Sequence, residues 1–493
     1  MSASPQAQNA LPNEPSAELQ LDEPEPNSGR ELSYWQVLLA SAAIGLLGGG
    51  LASAFYYWLE ATMHWVWQVL PSLLGSYFPN MTPASETAET QYGVFLEPYF
   101  PGGVPSSAYV WLVATVGGLL VGLSLYWLGR PGEVNSIVDD VHQPGQIDPR
   151  QSPSMFVTAT CSITAGGSLG PEAPLVQMIG SLGSWLGGKL QLAQGSIRLL
   201  TLCGMSAALS AFFGAPVGGA LFALELPHRR GLEFYEALGP AIVAGIMSFV
   251  TFRGLAGMTA SGLYAFPELP ELTVAHLGKG ALLGAIGASA AFLFSLIFRG
   301  VGHLSSYIAH QPILLASLGG LAIGTIGFAL PQTLFFSEME VQSIIVETGA
   351  SLGMEMLFVI ALAKMVAIAC TVHAGFRGGF IFPLFFIGAA IGLALALATP
   401  HLHPTIAMLC TMAAVNVAVT KTPIATSVIL CALSDVAAIP AIAIASFASF
   451  VLTANLSVIR TQRPRSVVIE RPQPASSLNG MACPQVLYAN ELK

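Results

Sequence analysis

The sequence predicts an all-α polytopic membrane protein, built as an inverted-repeat bundle of tilted and broken helices. Three observations carry that reading. Of 493 residues, 53% are hydrophobic and 9% charged, with a mean hydropathy of +0.66, whereas soluble domains carry about 25% charged residues. The 51 glycines and 33 prolines are too many for straight spans, and irregular backbone at membrane depth survives only inside protein or beside a watery cavity. A Gly-x-x-x-Pro-Leu pattern occurs twice, at Gly170 to Leu175 and at Gly379 to Leu384, and a further proline opens a short apolar run 42 positions after Pro174 and 40 after Pro383. Gly/Pro-interrupted segments at corresponding places point to a site at a repeat interface near the bilayer midplane.

Residues 1–30 are rich in Pro, Ser, Ala, Asn and Glu, a composition that cannot support a packed core, and read as a disordered cytoplasmic tail without a signal peptide. A transmembrane domain follows over 31–459, with repeat halves at about 108–252 and 313–457. Its first span, about Trp35 to Trp67, has Trp and Tyr at both ends as interfacial anchors. From Leu59 to Pro105 there is no Lys or Arg, while Glu60, Glu86, Glu89 and Glu97 are present, which marks an outer loop. A span at Ala108 to Leu128 returns to Arg130, and a polar segment runs through His142 to Arg150. Met155 to Ala165, Gly170 to Leu190, Leu199 to Phe212 and Ala215 to Leu226 follow, and several are too short to cross, so they read as half-helices meeting inside the membrane. His228-Arg229-Arg230 marks another cytoplasmic loop. Further apolar segments lie at about Leu238 to Phe252, Gly278 to Phe298, Ile313 to Leu330, Leu357 to Thr371, Ile391 to Ala398, Thr405 to Val417, Ile424 to Leu433 and Pro440 to Ala454. The short tail 460–493 carries Arg460, Arg463, Arg465 and Arg471 and reads as cytoplasmic, too short for a regulatory domain.

Glu172 is the residue on which the chemistry turns. A charge at membrane depth costs roughly 2.5–3.5 kcal/mol on insertion scales, so an intramembrane acid is a functional candidate by default. This one falls where a helix begins, the end that attracts anions, and so acts as a built-in competitor for an anion site. Two helix N-termini facing each other would aim unsatisfied N–H groups at one spot without a buried cation. In the second copy, Gly378 and Gly379 let the backbone approach closely, and Phe380, Ile381 and Phe382 leave amides as the only donors, which suits a weakly hydrated halide.

These residues resemble the CLC family of chloride channels and proton-coupled chloride transporters. Gly170-Pro171-Glu172-Ala173-Pro174 is similar to the family's G-K/R-E-G-P motif. Gly379 to Pro383 is similar to G-x-F-x-P in glycine and proline, with the aromatic placed differently, and the tract from Phe213-Gly-Ala-Pro216 to Glu225 resembles the segment after the glutamate motif. The resemblance spans residues 35–457 and implies a voltage-gated-type anion channel or a proton/chloride antiporter of the prokaryotic kind, without C-terminal CBS domains. It further implies a homodimer with one pathway per subunit. Glu172 would be the gating and proton-carrying glutamate, and Phe380 and Ile381 would give backbone amides to the ion, with Gly170 and Gly379 beside it.

Three departures accompany the resemblance. Where G-S-G-I-P is expected, the chain reads Val134-Asn135-Ser136-Ile137-Val138, so the side-chain donor is Asn135 or Ser136. Leu226 stands at the inner proton-transfer glutamate, next to Glu225, and no tyrosine falls near Ile459 to Thr461. Channel and antiporter both stay open. Glu225 reads as a second proton acceptor or as a structural partner of His228 and Arg229. Lys364, Lys421 and Asp435 could line a vestibule, snorkel or pair, and Arg377 could raise the potential at a mouth or bond a loop. His142 and His373 have no second ligand at metal spacing, and the six cysteines show no CxxC, so no metal or cofactor is expected. The expected partners are chloride or another small monovalent anion, protons in an exchanger, membrane lipid and a second subunit. The formal charge of −9 gives no sign of nucleic acid. The expected setting is a plasma membrane with both termini cytoplasmic. A cation or other solute transporter using Glu172 and Asp435 is the alternative; an intramembrane enzyme would need a nucleophile–base pair, and no motif supplies one.

Overall fold

A computed structural model of the chain describes residues 29–75, 107–142, 144–229, 235–257, 264–346, 349–434 and 436–462. Most of the tail readings, the outer-loop acids Glu86, Glu89 and Glu97, and Arg230, Asp435 and Cys483 lie outside the described residues. Helix α1 (Tyr34–His64) passes through a π turn at Trp65–Val69 into α2 (Leu70–Gly75). Then come α3 (Ser107–Trp127), α4 (Val134–His142), α5 (Ser152–Thr164), α6 (Glu172–Lys189), α7 (Gln194–Phe213), α8 (Pro216–Glu225) and α9 (Leu238–Ala256). After them lie α10 (Val274–Ser306), α11 (Pro312–Ala329), α12 (Glu338–Val346), α13 (Gly349–His373), α14 (Ile381–Ala398), α15 (Pro404–Thr420), α16 (Pro423–Leu433) and α17 (Ile439–Leu452). Among the described residues eight helices are long and apolar enough to cross a membrane, while α8, α15, α16 and α17 are apolar but shorter.

The punctuation is local. Pro216, Pro312, Pro404 and Pro423 open their helices, where the missing N–H leaves no bond unmade. Gly214, with φ +66, ends α7 in the left-handed conformation that glycine adopts without strain. Lys421 does the same after α15 at φ 62, at a steric cost for a side chain. Its ammonium donates to Ala418 O, Thr453 O and Thr453 Oγ1, so it caps the ends of α15 and α17. That replaces the expected snorkelling or vestibule role.

Helix packing repeats along the chain, as membrane bundles require of their small residues. A Cβ at Gly118 would overlap the carbonyl oxygen of Ala316, and one at Gly320 would overlap that of Ala114, so α3 and α11 cross with reciprocal backbone contact. Gly45 and Gly49 of α1 meet the carbonyls of Ala244 and Ser248 on α9, as Gly280 and Gly284 of α10 meet those of Ala441 and Ala445 on α17. The two pairs, α1 with α9 and α10 with α17, thus pack by the same glycine-to-carbonyl contact. Gly118→Ala is expected to destabilise the bundle by about 1–3 kcal/mol, the usual cost of overpacking, and a lower melting temperature of the purified protein in detergent is the check.

The structure differs from the sequence reading in three further places. Helix α14 begins at Ile381, inside the second motif, rather than at Ile391. The segments at 134–142 and 338–346 form short helices; α4 does so by burying Ile137, Val138 and Val141 on one face. Arg30, placed by composition in a free tail, bonds through its N–H to Gln191 O at 3.1 Å, and its own carbonyl accepts from Ala193 N at 3.0 Å.

Candidate functional site

Both motifs begin at the same backbone feature. The Gly170 N–H donates to Gly379 O at 2.6 Å and the Gly379 N–H donates to Gly170 O at 2.7 Å, an isolated antiparallel bridge. Helices α6 and α14 start within two residues of it, so two N-termini from the two halves of the chain converge on one point. Glu172 is the first residue of α6 and is 2% exposed. Its Oε1 accepts a long bond from the Phe382 N–H at 3.4 Å, and the Ile381 amide also acts on it. Its Oε2 has no hydrogen-bond partner among the described residues. A Cβ at Gly170 would overlap Oε2, and one at Gly379 would stand 2.6 Å from it. The two glycines thus leave a notch, and the carboxylate fills it.

Around the notch the walls are apolar. Phe382 packs against Phe212 and Phe213 at ring separations of 5.2 and 5.8 Å, which leaves the α14 amides as the polar groups facing the site. Beside Glu172 lies a cavity of about 40 Å³ lined by Val134, Ile137, Met205, Leu226, Phe380 and Ile459, among others. A second cavity, also about 40 Å³, holds Gly132, Asn135, Arg377 and Gly378. Val134, Phe380 and Ile459 line both and form an apolar septum between them. Beyond Pro171 and Leu175 a third cavity of about 280 Å³ is lined by Glu60, His64, Arg253 and Glu338.

Comparison with known proteins matches residues 117–454 to the voltage gated chloride channel family. The chain is a CLC protein. A chloride/fluoride channel protein of Pseudomonas syringae pv. tomato is 31% identical over 379 residues, covering 74% of this chain and 80% of that one. A crystal structure of a CLC-type fluoride/proton antiporter superposes with a TM-score of 0.66 at 20% identity, over 88% of this chain and all (100%) of that one. A slow cyanobacterial Cl−/H+ antiporter gives 0.71 at 19% identity, over 85% and 94%. At those identities the two structures speak for the fold alone, the CLC bundle of tilted and broken helices; family membership makes the chain a multi-pass integral membrane protein that transports anions as a channel or an exchanger.

The positions singled out as departures are placed as follows in this CLC protein. Asn135 lines the second cavity, and its Oδ1 accepts from the Arg460 N–H at 2.9 Å, while the Ser136 hydroxyl donates to Glu133 O at 2.9 Å. Neither side chain lines the cavity beside Glu172. Ile459 stands in the region where a tyrosine was expected and lies in the septum. Leu226 lines the first cavity, and its carbonyl accepts from Gln462 Nε2 at 2.8 Å.

The Glu225 carboxylate is engaged by backbone amides of a distant helix. It is 3% exposed and accepts the N–H groups of Ile424 and Ala425 at 3.2 and 2.8 Å, capping the start of α16 from 200 positions away. The His228 N–H donates to Glu225 O at 3.2 Å, and its ring packs on His142, 5.1 Å between centroids. Arg377, 5% exposed, pairs with Glu133 at 3.1 Å and donates to Pro131 O, so the structure brings a buried cation to the second cavity. Glu338 and Glu340 escaped the sequence reading. Two acids within three residues of an apolar stretch were the available signal.

Proposed function

We propose that this CLC protein conducts a small monovalent anion, chloride or fluoride, past Glu172, which blocks the path as a carboxylate and clears it when protonated or displaced by an anion. The observation that carries this is the seat of the Glu172 carboxylate, in a notch between two glycines and against the α14 amides. An anion and that carboxylate compete for one set of positive helix ends. Protonation removes the competing charge, so anion flux rises as external pH falls. The printed name of the Pseudomonas syringae relative supports the two halides.

Orientation follows from charge. Arg130, Arg150 and Arg229 lie in connections between helices, and the stretch from Leu59 to Pro105 has no Lys or Arg, which supports cytoplasmic termini in the plasma membrane. The third cavity, beside Glu60 and His64 near the end of α1, then faces outward and the second inward. The family resemblance supports a homodimer with a pathway in each subunit. Proton-coupled exchange is the second reading. Leu226 in the first cavity and Glu225 held as a helix cap leave Glu172 as the acid lining that cavity and favour conduction.

Purified protein in liposomes, loaded in turn with chloride and fluoride, tests both readings when proton and halide electrodes record together. Halide efflux that grows at acid external pH without matching proton movement is expected. A fixed proton count per halide selects the exchanger. Absence of halide efflux, with uptake of sodium, overturns the anion assignment.

A further inference from the structure

The third cavity and the segment beside it hold acids that the gating scheme leaves unused. Leaving α11, the chain passes through two non-glycine residues with left-handed backbone, Phe335 at φ 53 and Ser337 at φ 67, and enters α12 at Glu338. Such backbone persists only where its surroundings hold it. Here the fully buried Lys364 does so, donating to the carbonyls of Thr333, Leu334 and Phe335 at 3.0, 3.2 and 2.9 Å. The expected snorkelling of this lysine gives way to a clamp on the turn that presents Glu338 and Glu340.

Glu338 lines the 280 Å³ cavity together with Pro171, the residue before the gate. Glu340 is fully buried with neither carboxylate oxygen hydrogen-bonded among the described residues. The same holds for the hydroxyls of Ser337 and Tyr264 and for both ends of the Gln332 side chain, while Glu172 Oε2 is likewise unpartnered. Tyr264 stands in the field of Glu172, Glu338 and Glu340 at once. Buried polar groups in folded proteins are bonded to protein or to ordered water, so unpartnered groups that share the surroundings of Glu338 and Glu172 are what a hydrated proton path requires.

We propose that Glu338 delivers protons from the outer cavity to Glu172, over water held by Tyr264, Gln332 and Glu340. This rests on the gating reading above and supplies its missing proton source. Protonated Glu338 gives its proton through water to the Glu172 carboxylate. Glu172 becomes neutral and leaves the amides, and Glu338, now a carboxylate, takes a proton from water in the cavity. The charged and titratable groups around Glu338 are Glu172 from α6, Arg253 from α9, and Glu60, His64 and Tyr56 from α1. Glu340 faces Lys364 from α13, and Tyr264 and Glu338.

Liposome efflux over a series of external pH values tests it with Glu338→Gln, Glu338→Asp, Tyr264→Phe and Glu172→Gln. Glu338→Gln is expected to displace the pH profile toward acid by about one unit, a tenfold change in the proton concentration required, and Glu338→Asp to restore it. In a Glu172→Gln background Glu338→Gln should have no further effect on the profile. If Glu338→Gln fails to assemble by size exclusion, Tyr264→Phe carries the test through the same displacement. A pH dependence abolished by Glu172→Gln but unmoved by Glu338→Gln, or by Tyr264→Phe where that stands in, overturns the relay alone. A wild-type flux indifferent to external pH, or a pH dependence that survives Glu172→Gln, overturns the gating reading and the relay with it.

Discussion

Glu172→Gln is expected to raise halide flux at neutral external pH roughly ten- to hundredfold and to flatten its pH dependence. The carboxylate in the notch holds its place through bonds from the α14 amides, and hydrogen bonds to charged groups are worth about 1.5–3 kcal/mol. Each 1.36 kcal/mol removed from a barrier is about tenfold in rate, which sets the range. Glutamine keeps the shape without the charge, so the amides are left to an incoming anion. Efflux from liposomes read by a halide electrode is the measurement, and a variant matching wild type in both rate and pH profile would remove Glu172 from the gate.

Gly170→Ala should open the pathway with the acid still present. The added methyl would overlap Glu172 Oε2, the far end of a flexible side chain, so the carboxylate yields rather than the backbone. The bridge to Gly379 uses main-chain atoms alone and survives the change. Neutral-pH flux is therefore expected to rise toward that of Glu172→Gln. Gly379→Ala, whose Cβ would lie 2.6 Å from the same oxygen and 3.0 Å from the Glu172 Cβ, should act in the same direction. Unaltered flux in a well-folded Gly170→Ala protein would mean that the carboxylate does not rest in the notch.

Much of this site was legible because its parts are conspicuous in a hydrophobic chain. A lone acid, Glu172, and two Gly-x-x-x-Pro segments stand out against apolar runs, and their matched spacing reflects the need for helix starts at equivalent depths. The start of α14 lies ten residues before the apolar run at Ile391, with Pro383 in its first turn, where a missing N–H is harmless. Partners far along the chain were beyond local pattern. Nothing near Glu225 announces that it caps a helix 200 positions away, nor does Asn135 reveal its bond to the Arg460 amide 325 positions on. Nine-residue helices such as α4 lack the length over which periodicity becomes readable. The like packing of α1 on α9 and of α10 on α17 rests on glycines inside helices, which carry no turn signal.

The reciprocal bonds between Gly170 and Gly379 have a mechanical consequence. Transporters that rock one repeat against the other part the two halves at the substrate, but here the halves are riveted together at that very point. Main chain from both halves frames the notch, so in the proposed scheme the moving piece is a stopper of side-chain size. On the proposed gating, flux control is a matter of one carboxylate swinging out of that frame, and agents that act on it must reach a side chain rather than prise helices apart.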